Sequence, residues 1–150
     1  MSYQVRAAEK RDIPSLKSLL KDFSKFYGSA MPLYGDDAYI EAYLDMFIGT
    51  HLMLVAESEE SEVVGMIAGF MAPHIYNPQI RTLTEAAWWV AEEHRMSKAG
   101  KLLLDSFVEF GKENVDWIIA TLEHDSPVGD EVFLKRGFKH KERSFILEVR

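Results

Sequence analysis

Two strongly apolar segments, TLTEAAWWVA at 82–91 and VDWIIATL at 115–122, are separated by one helix-length stretch. An apolar strand centre is typical of a strand that is buried on both faces of a sheet. A strand, a helix and a second strand in this order form a β-α-β unit, which needs helices packed on the sheet. This feature restricts the fold more than any other in the chain.

The segments before this unit predict antiparallel strands and two helices. Strands are expected at 3–8, 51–57 and 62–72, and the polar stretch SEES turns the last two into a hairpin. Asp12 is predicted to cap the first helix, with Pro14 in its first turn. Asp36 or Asp37 caps the second helix, and Gly28, Pro32 and Gly35 mark the loop between the two. A loop containing Pro73, Asn77 and Pro78 precedes the segment 82–91.

The C-terminal part predicts two more helices and a final strand. Apolar residues at helical spacing indicate a helix over 98–113. Ser126 and Pro127 are typical of a helix start, and Gly137 is placed to end that helix. The segment RSFILEVR at 143–150 is expected to close the chain as a strand. The order β-α-α-β-β-β-α-β-α-β predicts a mixed sheet with helices on its faces.

Length, charge and residue usage narrow the function classes. The 150 residues carry a net charge of −7, which argues against general binding to nucleic acids or anionic membranes. The chain contains no cysteine, so disulfides, thiolate metal sites and cysteine nucleophiles are excluded. We find no signal peptide, no apolar run long enough to span a bilayer and no linker, and therefore expect one cytoplasmic domain over 1–150. The five histidines show no spacing typical of metal ligands, so no metal site is predicted.

Cations and a glycine lie together at the start of a predicted helix of this acidic chain. In EEHRMSKAGKLLLDSF, Arg95, Lys98 and Lys101 surround Gly100, and Ser97 is a candidate N-cap. Amide groups at a helix start are unpaired and carry partial positive charge, so they hold phosphate well. This pattern predicts an anion site directly after a buried strand. The alternative is that the cations form a solvated face and the glycine is incidental.

The same stretch, WWVAEEHRMSKAGKLLLDSF, resembles motif A of the GNAT superfamily of N-acetyltransferases, a strand followed by [R/Q]-x-x-G-x-[G/A] and a helix. Arg95 fits the first position and Gly100 the last, whereas Lys98 stands where a glycine is usual. The segment VVGMIAGF is similar to the family's central hairpin, and VFLKRGFK to its Y-x-x-x-G-F motif. The resemblance covers nearly the whole chain. It implies an α+β fold of three α/β/α layers, with a mixed, largely antiparallel sheet of six to seven strands and about four helices.

The resemblance implies a binding site for acetyl-CoA. The pyrophosphate loop of the family corresponds to the seven residues Arg95, Met96, Ser97, Lys98, Ala99, Gly100 and Lys101. In the family, pantetheine lies where the motif A strand separates from the next strand, and the backbone N–H of Val90 would polarise the thioester carbonyl. Ser126 and Phe133 would also line the cofactor. Lys98 either crowds the loop, if its backbone needs a positive φ, or contacts phosphate directly.

Proton transfer needs a base and an acid. Glu85 lies on the motif A strand, where some family members carry a glutamate base, and Glu123 and His124 are the alternatives. The family's usual tyrosine acid is replaced by Phe133, which has no proton to donate. Either water or another tyrosine, for which Tyr76 is the candidate, supplies the proton, or the thiolate leaves without help, or the protein is a weak catalyst.

The acceptor pocket implied by the family includes segments that are rich in aromatic and acidic residues. The candidate contacts are Tyr34, Asp36, His74 and Tyr76, which would suit a cationic or amphipathic amine. The alternative is that the tyrosines belong to the core and the aspartates cap the second helix.

These features together predict direct acetyl transfer from acetyl-CoA to a primary amine in a ternary complex. The competing hypothesis is a non-catalytic module that binds acyl-CoA or a protein partner on the same scaffold. Dimers are common in the family, so a homodimer is compatible with the resemblance.

Overall fold

The computed structural model describes residues 2–26 and 33–150; the predicted loop residues Gly28 and Pro32 lie outside this range. Four α-helices are present in the described part of the chain: α1 Ile13–Phe26, α2 Asp37–Thr50, α3 Ala99–Asn114 and α4 Glu131–Leu134. The strands are β1 Tyr3–Ala7, β2 Leu52–Ser58, β3 Val63–His74, β4 Asn77–Val90 and β5 Trp117–Ile119. Short 3-10 turns at Lys10–Asp12 and Glu92–His94 precede α1 and α3.

Within the described residues, the five strands form one sheet in the order β1-β2-β3-β4-β5. The first four strands are antiparallel, and β5 pairs parallel to β4. The mixed sheet and the α+β class are as expected, but the six to seven strands are a wrong count. The predicted final strand at 143–150 has no strand conformation, and all its side chains are exposed.

The β3–β4 hairpin is longer than the sequence indicates. His74 lies opposite Asn77, so Ile75 and Tyr76 alone form the turn, and the predicted loop around Pro73 and Pro78 is wrong. The sheet continues past the first proline because Pro73 pairs with Arg81 near the end of the hairpin. The hairpin tip is fully exposed, with Ile75 at 85% and Tyr76 at 88% of their maximal accessible surface.

The two faces of the sheet carry separate apolar cores. On one face, α3 buries Leu103, Leu104 and Phe107 against the strands, with Ile67 and Leu83 among them. On the other face, α1 and α2 pack against strand residues, and the buried set includes Leu16, Leu19, Leu44, Phe47, Met53, Val55 and Met66. Helices therefore pack on both faces of the sheet, each through one apolar stripe, and this gives the three α/β/α layers that were predicted.

Three helix ends test the predicted caps. Asp36 caps α2, since its Oδ1 accepts the Tyr39 N–H at 2.8 Å, as predicted. Gly137 follows α4 with a φ of +92° and ends the helix as expected. The predicted start at Ser126 and Pro127 is wrong, because α4 begins five residues after Ser126, with Asp130 as its N-cap.

Asp12 does not cap α1 as predicted. It ends the 3-10 turn that leads into the helix, and its carboxylate accepts the Glu9 N–H at 2.8 Å. The same carboxylate accepts both Nη groups of Arg6, at 2.8 and 3.0 Å, so its hydrogen bonds join the turn to β1. No helix in the described residues is both long and apolar enough to cross a membrane.

Candidate active site

The site is built where β4 and β5 separate. The two strands pair only at three positions, which join Thr82, Leu83 and Thr84 to 117–119. A bulge follows immediately, since Gly69 lies opposite Glu85 and Ala68 opposite Ala87, leaving Ala86 as the extra residue. The bulge bends β4 at the point where pairing with β5 stops. Beyond this point the two chain segments 85–90 and 120–122 form no ladder with each other, and we call the space between them the gap.

The amide of Val90 faces this gap. Ala91 N–H donates to Val64 O at 2.8 Å, so those two residues form a hydrogen-bonded pair of the β3–β4 ladder. Bonded and non-bonded pairs alternate in an antiparallel ladder, and Val90 opposite Gly65 is the next pair. Its N–H and C=O therefore point away from β3, and the carbonyl accepts a hydrogen bond from Arg95 Nε at 3.0 Å. This orientation is the one required of an amide that polarises a carbonyl in the gap.

Free amide groups lie at the start of α3. Leu102 N–H donates to Lys98 O at 3.0 Å as the first hydrogen bond of the helix. The N–H groups of Gly100 and Lys101 come earlier in the helix and have no helical carbonyl to bond. Because the partial charge of the helix is positive here, these amides can receive an anion.

The N-cap of α3 is Lys98 and not Ser97, the residue that the sequence predicted. Lys98 has a φ of −80°, an ordinary right-handed conformation that any residue can adopt. A lysine in place of the usual glycine therefore causes no backbone strain. Ser97 supports the turn instead: its hydroxyl donates to His94 O and accepts the Ala99 N–H at 3.2 Å.

Gly100 lies beside the gap. A Cβ added there would meet Val90 Cγ2 at 3.6 Å and Trp88 Cζ2 at 3.9 Å, which are ordinary contact distances. The side of this glycine that lacks a side chain thus lies against the same strand segment as the Val90 amide. Its carbonyl accepts the Trp88 indole N–H at 3.2 Å, which ties β4 to the first turn of α3.

Arg95 folds back onto β4. Besides its bond to Val90 O, its guanidinium lies 4.2 Å from the centre of the Trp89 ring. That ring packs against Phe23 and Phe26 of α1. Arg95 therefore ties the loop between β4 and α3 to the strand. Like Lys98, Lys101 and Met96, it remains exposed to solvent.

Glu85 is the first residue of β4 beyond its pairing with β5. Its Oε1 accepts the Thr121 N–H at 3.4 Å, so the carboxylate reaches across the gap. Burial raises the pKa of Glu85 to about 7, and the Thr121 hydrogen bond opposes this rise. A carboxylate with this pKa accepts protons efficiently near neutral pH.

Phe133 is buried beside Trp88. The two rings are arranged edge to face with centroids 6.0 Å apart, and Phe138 contacts the other side at 5.2 Å. Phe133 is only 9% exposed, so it forms an apolar wall between α4 and β4. Ser126 makes a local turn instead, since its Oγ accepts the Val128 N–H at 3.1 Å.

Several predicted residues have no contact with this gap. Tyr76 lies at the hairpin tip, nine residues before Glu85 on an extended strand and hence about 30 Å away. His74 packs against Tyr76 and Trp117 at the same end. Tyr34 donates to Asp37 at 3.0 Å and Asp36 caps α2, so the hydrogen bonds of these two side chains stay at the start of α2.

The two alternative bases lie just past the segment that faces Glu85. Glu123 contributes its carbonyl, which accepts the Ser126 N–H at 2.9 Å, and His124 lies in the turn that follows. Within the described residues, no group of three or more histidine, aspartate or glutamate side chains is arranged to hold a metal ion.

Sequence reasoning missed two contributors to the site. An apolar strand centre indicates only a core role for Trp88, but its indole N–H bonds Gly100 O and its ring meets Phe133. The role of Thr121 cannot be predicted from its residue type, because it acts through its backbone amide. The bulge at Ala86 cannot be predicted from the sequence either, since it depends on how β3 and β4 align.

The sequence model of the acetyltransferase (GNAT) family matches residues 16–138. A search of curated proteins finds no match.

Solved structures share the fold at low sequence identity. An acetyltransferase from Trypanosoma brucei has a TM-score of 0.76 at 17% identity, covering 99% of this chain and 100% of its own. A predicted acetyltransferase from Clostridium acetobutylicum, solved with acetyl-CoA, has a TM-score of 0.75 at 21% identity, covering 99% and 97%. A ribosomal-protein-alanine N-acetyltransferase from Brucella melitensis biovar Abortus 2308 has a TM-score of 0.74 at 15% identity, covering 99% and 100%.

Proposed function

Because the chain belongs to the GNAT acetyltransferase family, we propose that it moves an acetyl group from acetyl-CoA to a primary amine. The transfer is direct and takes place while both substrates are bound. With no cysteine in the chain, a cysteinyl acyl-enzyme is not available. The observation that carries this proposal is the gap between β4 and β5. The Val90 amide points into this gap, and the Glu85 carboxylate reaches across it to the Thr121 amide.

The residues present fit acetyl-CoA. The free amides of Gly100 and Lys101 would hold the diphosphate, helped by the exposed ammonium groups of Lys98 and Lys101. Gly100 has no side chain and lies next to Val90 in the first turn of α3. Trp88 and Phe133 supply an apolar surface close to this turn, suited to a pantetheine arm. Acetyl-CoA, when bound, supplies an activated acyl thioester.

Two groups of the chain act on the reacting atoms. Glu85 accepts a proton from the acceptor amine, because an ammonium has no lone pair with which to attack. Its pKa of about 7 leaves it ionised in a useful fraction at neutral pH. The Val90 N–H, which points into the gap, donates a hydrogen bond to the oxygen where negative charge develops. One such donor typically contributes about 3 kcal/mol to acyl transfer.

Phe133 leaves the departing thiolate without a side-chain acid. A thiol has a pKa of about 8.5, so it can leave as thiolate and take its proton from water. We therefore propose no tyrosine acid for this chain, since Tyr76 lies at the far end of β4.

The test is an assay of free thiol release from acetyl-CoA over a panel of amines. The panel holds peptides with free N-termini, lysine peptides, polyamines and small aromatic amines. We expect turnover with at least one amine, together with a mass gain of one acetyl group on that amine. Thiol release that is independent of every amine would contradict the proposal, because it would indicate hydrolysis.

A second candidate function is non-catalytic binding of acyl-CoA. The replacement of the usual tyrosine by the buried Phe133 favours it. Calorimetry with CoA, run beside the thiol assay, separates the two: binding without turnover on any amine supports the binding module. The variant Glu85→Gln gives a second criterion for an acetyltransferase. It should lower the rate of acetyl transfer and leave the affinity for CoA unchanged.

A further inference from the structure

A row of aromatic side chains runs along one side of α2 and ends on β3. Tyr39 and Tyr43 lie one helical turn apart with ring centroids separated by 5.0 Å, and Phe47 follows one turn later at 6.5 Å. Phe70 of β3 completes the row, 6.5 Å from Phe47, and His51 lies against both of these rings. We call these five residues the aromatic row.

Most of the aromatic row is open to solvent. Tyr39 is 57% exposed, Tyr43 is 45% exposed and Phe70 is 43% exposed. Phe47 is the buried member, and it fixes the row to the core that α1 and α2 form with the sheet. Single exposed aromatic residues are common, but a contiguous set of them indicates a surface that binds another molecule.

The Phe70 end of the aromatic row lies next to the gap. Phe70 pairs with Thr84 of β4, and Thr84 directly precedes Glu85. Neighbouring strands are about 4.8 Å apart and successive residues about 3.4 Å, which puts the backbone of Phe70 about 6 Å from that of Glu85. A molecule that rests on the Phe70 ring is therefore within one or two bonds' reach of the proposed base.

The two faces of the sheet separate this surface from the diphosphate site. α3, whose first turn carries the free amides, packs on one face, whereas α2 packs on the other with Phe47 against Phe70. A cofactor that enters the gap from the start of α3 therefore leaves the opposite face to the acceptor. On that face, the acceptor meets the aromatic row beside the base.

The chemistry of the row favours a flat, uncharged group. His51 Nδ1 accepts the Met71 N–H at 3.1 Å, so its ring is neutral with the proton on Nε2. None of the five side chains is a carboxylate that would hold the second cation of a polyamine. Exposed rings bind another ring through offset and edge-to-face contacts in addition to the burial of apolar surface.

We propose that the acceptor is an arylalkylamine, a primary amine joined to an aromatic ring by a short alkyl chain. This inference rests on the proposed acetyl transfer. The acceptor ring packs on Phe70 and Tyr43, and a chain of about two carbons brings its nitrogen to Glu85. The nitrogen forms the amide bond as the C–S bond of acetyl-CoA breaks, its proton passes to Glu85, and CoA leaves as thiolate. Phe70 is thus a specificity-determining residue.

The first test compares amines that differ in one feature. Phenethylamine, cyclohexylethylamine, putrescine and propylamine are assayed for transfer beside a lysine peptide. We expect kcat/KM for phenethylamine to exceed that for propylamine at least about 10-fold, because propylamine has no ring to bury. An equal or higher kcat/KM for cyclohexylethylamine, putrescine or the peptide would overturn the proposal.

Variants of Phe70 test the surface itself. Phe70→Ala should raise KM for phenethylamine at least about 10-fold and leave kcat nearly unchanged, because the ring binds substrate and transition state alike. Phe70→Tyr keeps the ring and should keep the natural KM. The kcat/KM for propylamine should be the same in all these chains, which a damaged fold would not allow. Ile75→Ala, at the exposed hairpin tip, is the control. Unchanged selectivity in Phe70→Ala would overturn the proposal.

A binding measurement separates this inference from the proposed function. Ligand-observed NMR detects phenethylamine on the CoA-bound chain whether or not transfer occurs. Binding that Phe70→Ala weakens would support the aromatic site even if no amine were acetylated, a result that would contradict only the proposed transfer. Acetylation of other amines without any binding of phenethylamine would contradict only the arylalkylamine site.

Discussion

Glu85 is the residue whose environment most clearly suits chemistry. It sits at the end of the β4–β5 pairing, is largely withdrawn from water and accepts a hydrogen bond from the Thr121 amide. Burial, opposed only by that hydrogen bond, raises its pKa to about 7. A carboxylate in this state binds and releases protons over the pH range in which an amine acceptor must lose one.

The pH dependence of transfer follows from this pKa. The base must be ionised, so kcat/KM should rise with pH through a midpoint of about 7. Glu85→Gln should lower kcat at least about 100-fold and remove this midpoint, because general base catalysis contributes roughly that factor. Initial rates from acidic to alkaline pH measure both effects. Full activity of Glu85→Gln at all pH values would assign the base to another group, with Glu123→Gln as the matched comparison.

The same residue should make stability depend on pH. Its carboxyl binds a proton more tightly in the folded chain, with a pKa of about 7, than in the unfolded chain, with its ordinary value of 4.5. Stability is therefore highest below the unfolded pKa and declines as pH rises through 7. Glu85→Gln should be more stable than the natural chain at about pH 8, by up to about 3 kcal/mol, and equally stable at about pH 4. Urea unfolding at both pH values tests this; an unchanged difference would contradict the burial of the carboxylate.

Gly100 tests the diphosphate site. Gly100→Glu places a carboxylate next to the free amides of α3, and we expect the affinity for CoA to fall at least about 100-fold. Gly100→Ala is the matched control, because its Cβ makes only ordinary contacts with Val90 and Trp88. Calorimetry with CoA gives the affinities, and thermal unfolding verifies that both variants fold. Retained binding in Gly100→Glu would place the diphosphate elsewhere.

Among the secondary-structure elements, the C-terminal turn of α4 and the first turn of α3 position Phe133 and Trp88, which form the apolar wall of the site. α4 has only four residues, Glu131–Leu134, and is held by its C-terminal turn. Gly137 N–H donates to Leu134 O at 3.1 Å and Phe138 N–H donates to Phe133 O at 3.2 Å, the pattern of a Schellman motif. This turn brings Phe138 against Phe133, which in turn contacts Trp88.

Gly137 adopts a left-handed backbone conformation, so its replacement should lower the stability of the fold. Its φ is +92°, and no atom lies within 4 Å of an added Cβ, so a side chain there meets backbone strain alone. Gly137→Ala should lower the free energy of unfolding by about 1 kcal/mol. Gly49→Ala, in α2 and equally uncrowded, should raise it by up to about 1 kcal/mol. Chemical denaturation of both variants measures the contrast, and equal effects would argue against the Schellman turn.

Across the whole molecule, one partly buried ion network joins the turn before α1 to the sheet. Arg6 of β1 contacts Asp12 at 2.8 Å and Glu57 of β2 at 2.9 Å. Asp12 is only 5% exposed, and the guanidinium hydrogen bond holds its pKa below the usual value of 3.8. The network fixes the turn before α1 to β1 and β2, and so it fixes how α1 lies on the sheet.

Removal of one member should therefore destabilise the fold. Asp12→Ala removes two hydrogen bonds from Arg6 and one from the Glu9 N–H, while Arg6 keeps its pair with Glu57, and we expect the free energy of unfolding to fall by about 2 kcal/mol at neutral pH. Asp22→Ala, which removes only the exposed Lys25 pair, should change it by less than about 0.5 kcal/mol. Because the folded pKa of Asp12 is lowered, the contribution is present above about pH 4 and is lost as pH falls further. Thermal unfolding across this range tests the direction, and an Asp12 effect that grows on acidification would contradict it.

Local sequence patterns are enough to predict most helices and strands of this protein and its family. Apolar periodicity placed α1, α2, α3 and the first four strands, because each element must bury one face or both. Motif A and the Phe133-x-x-x-Gly137-Phe138 pattern predict the family, which the family model matching residues 16–138 confirms. These features are local, so they can be read along the chain.

Tertiary structure decided the rest, because the deciding contacts join residues far apart in sequence. The bulge at Ala86 and the loss of β4–β5 pairing after Thr84 depend on strand alignment, and they alone bring Glu85 to the Thr121 amide. The backbone φ of Lys98 resolved whether a lysine fits the loop. The segment 143–150 has the local pattern of a strand yet pairs with no strand among the residues that the structure describes, and a strand forms only where a neighbouring edge completes its hydrogen bonds.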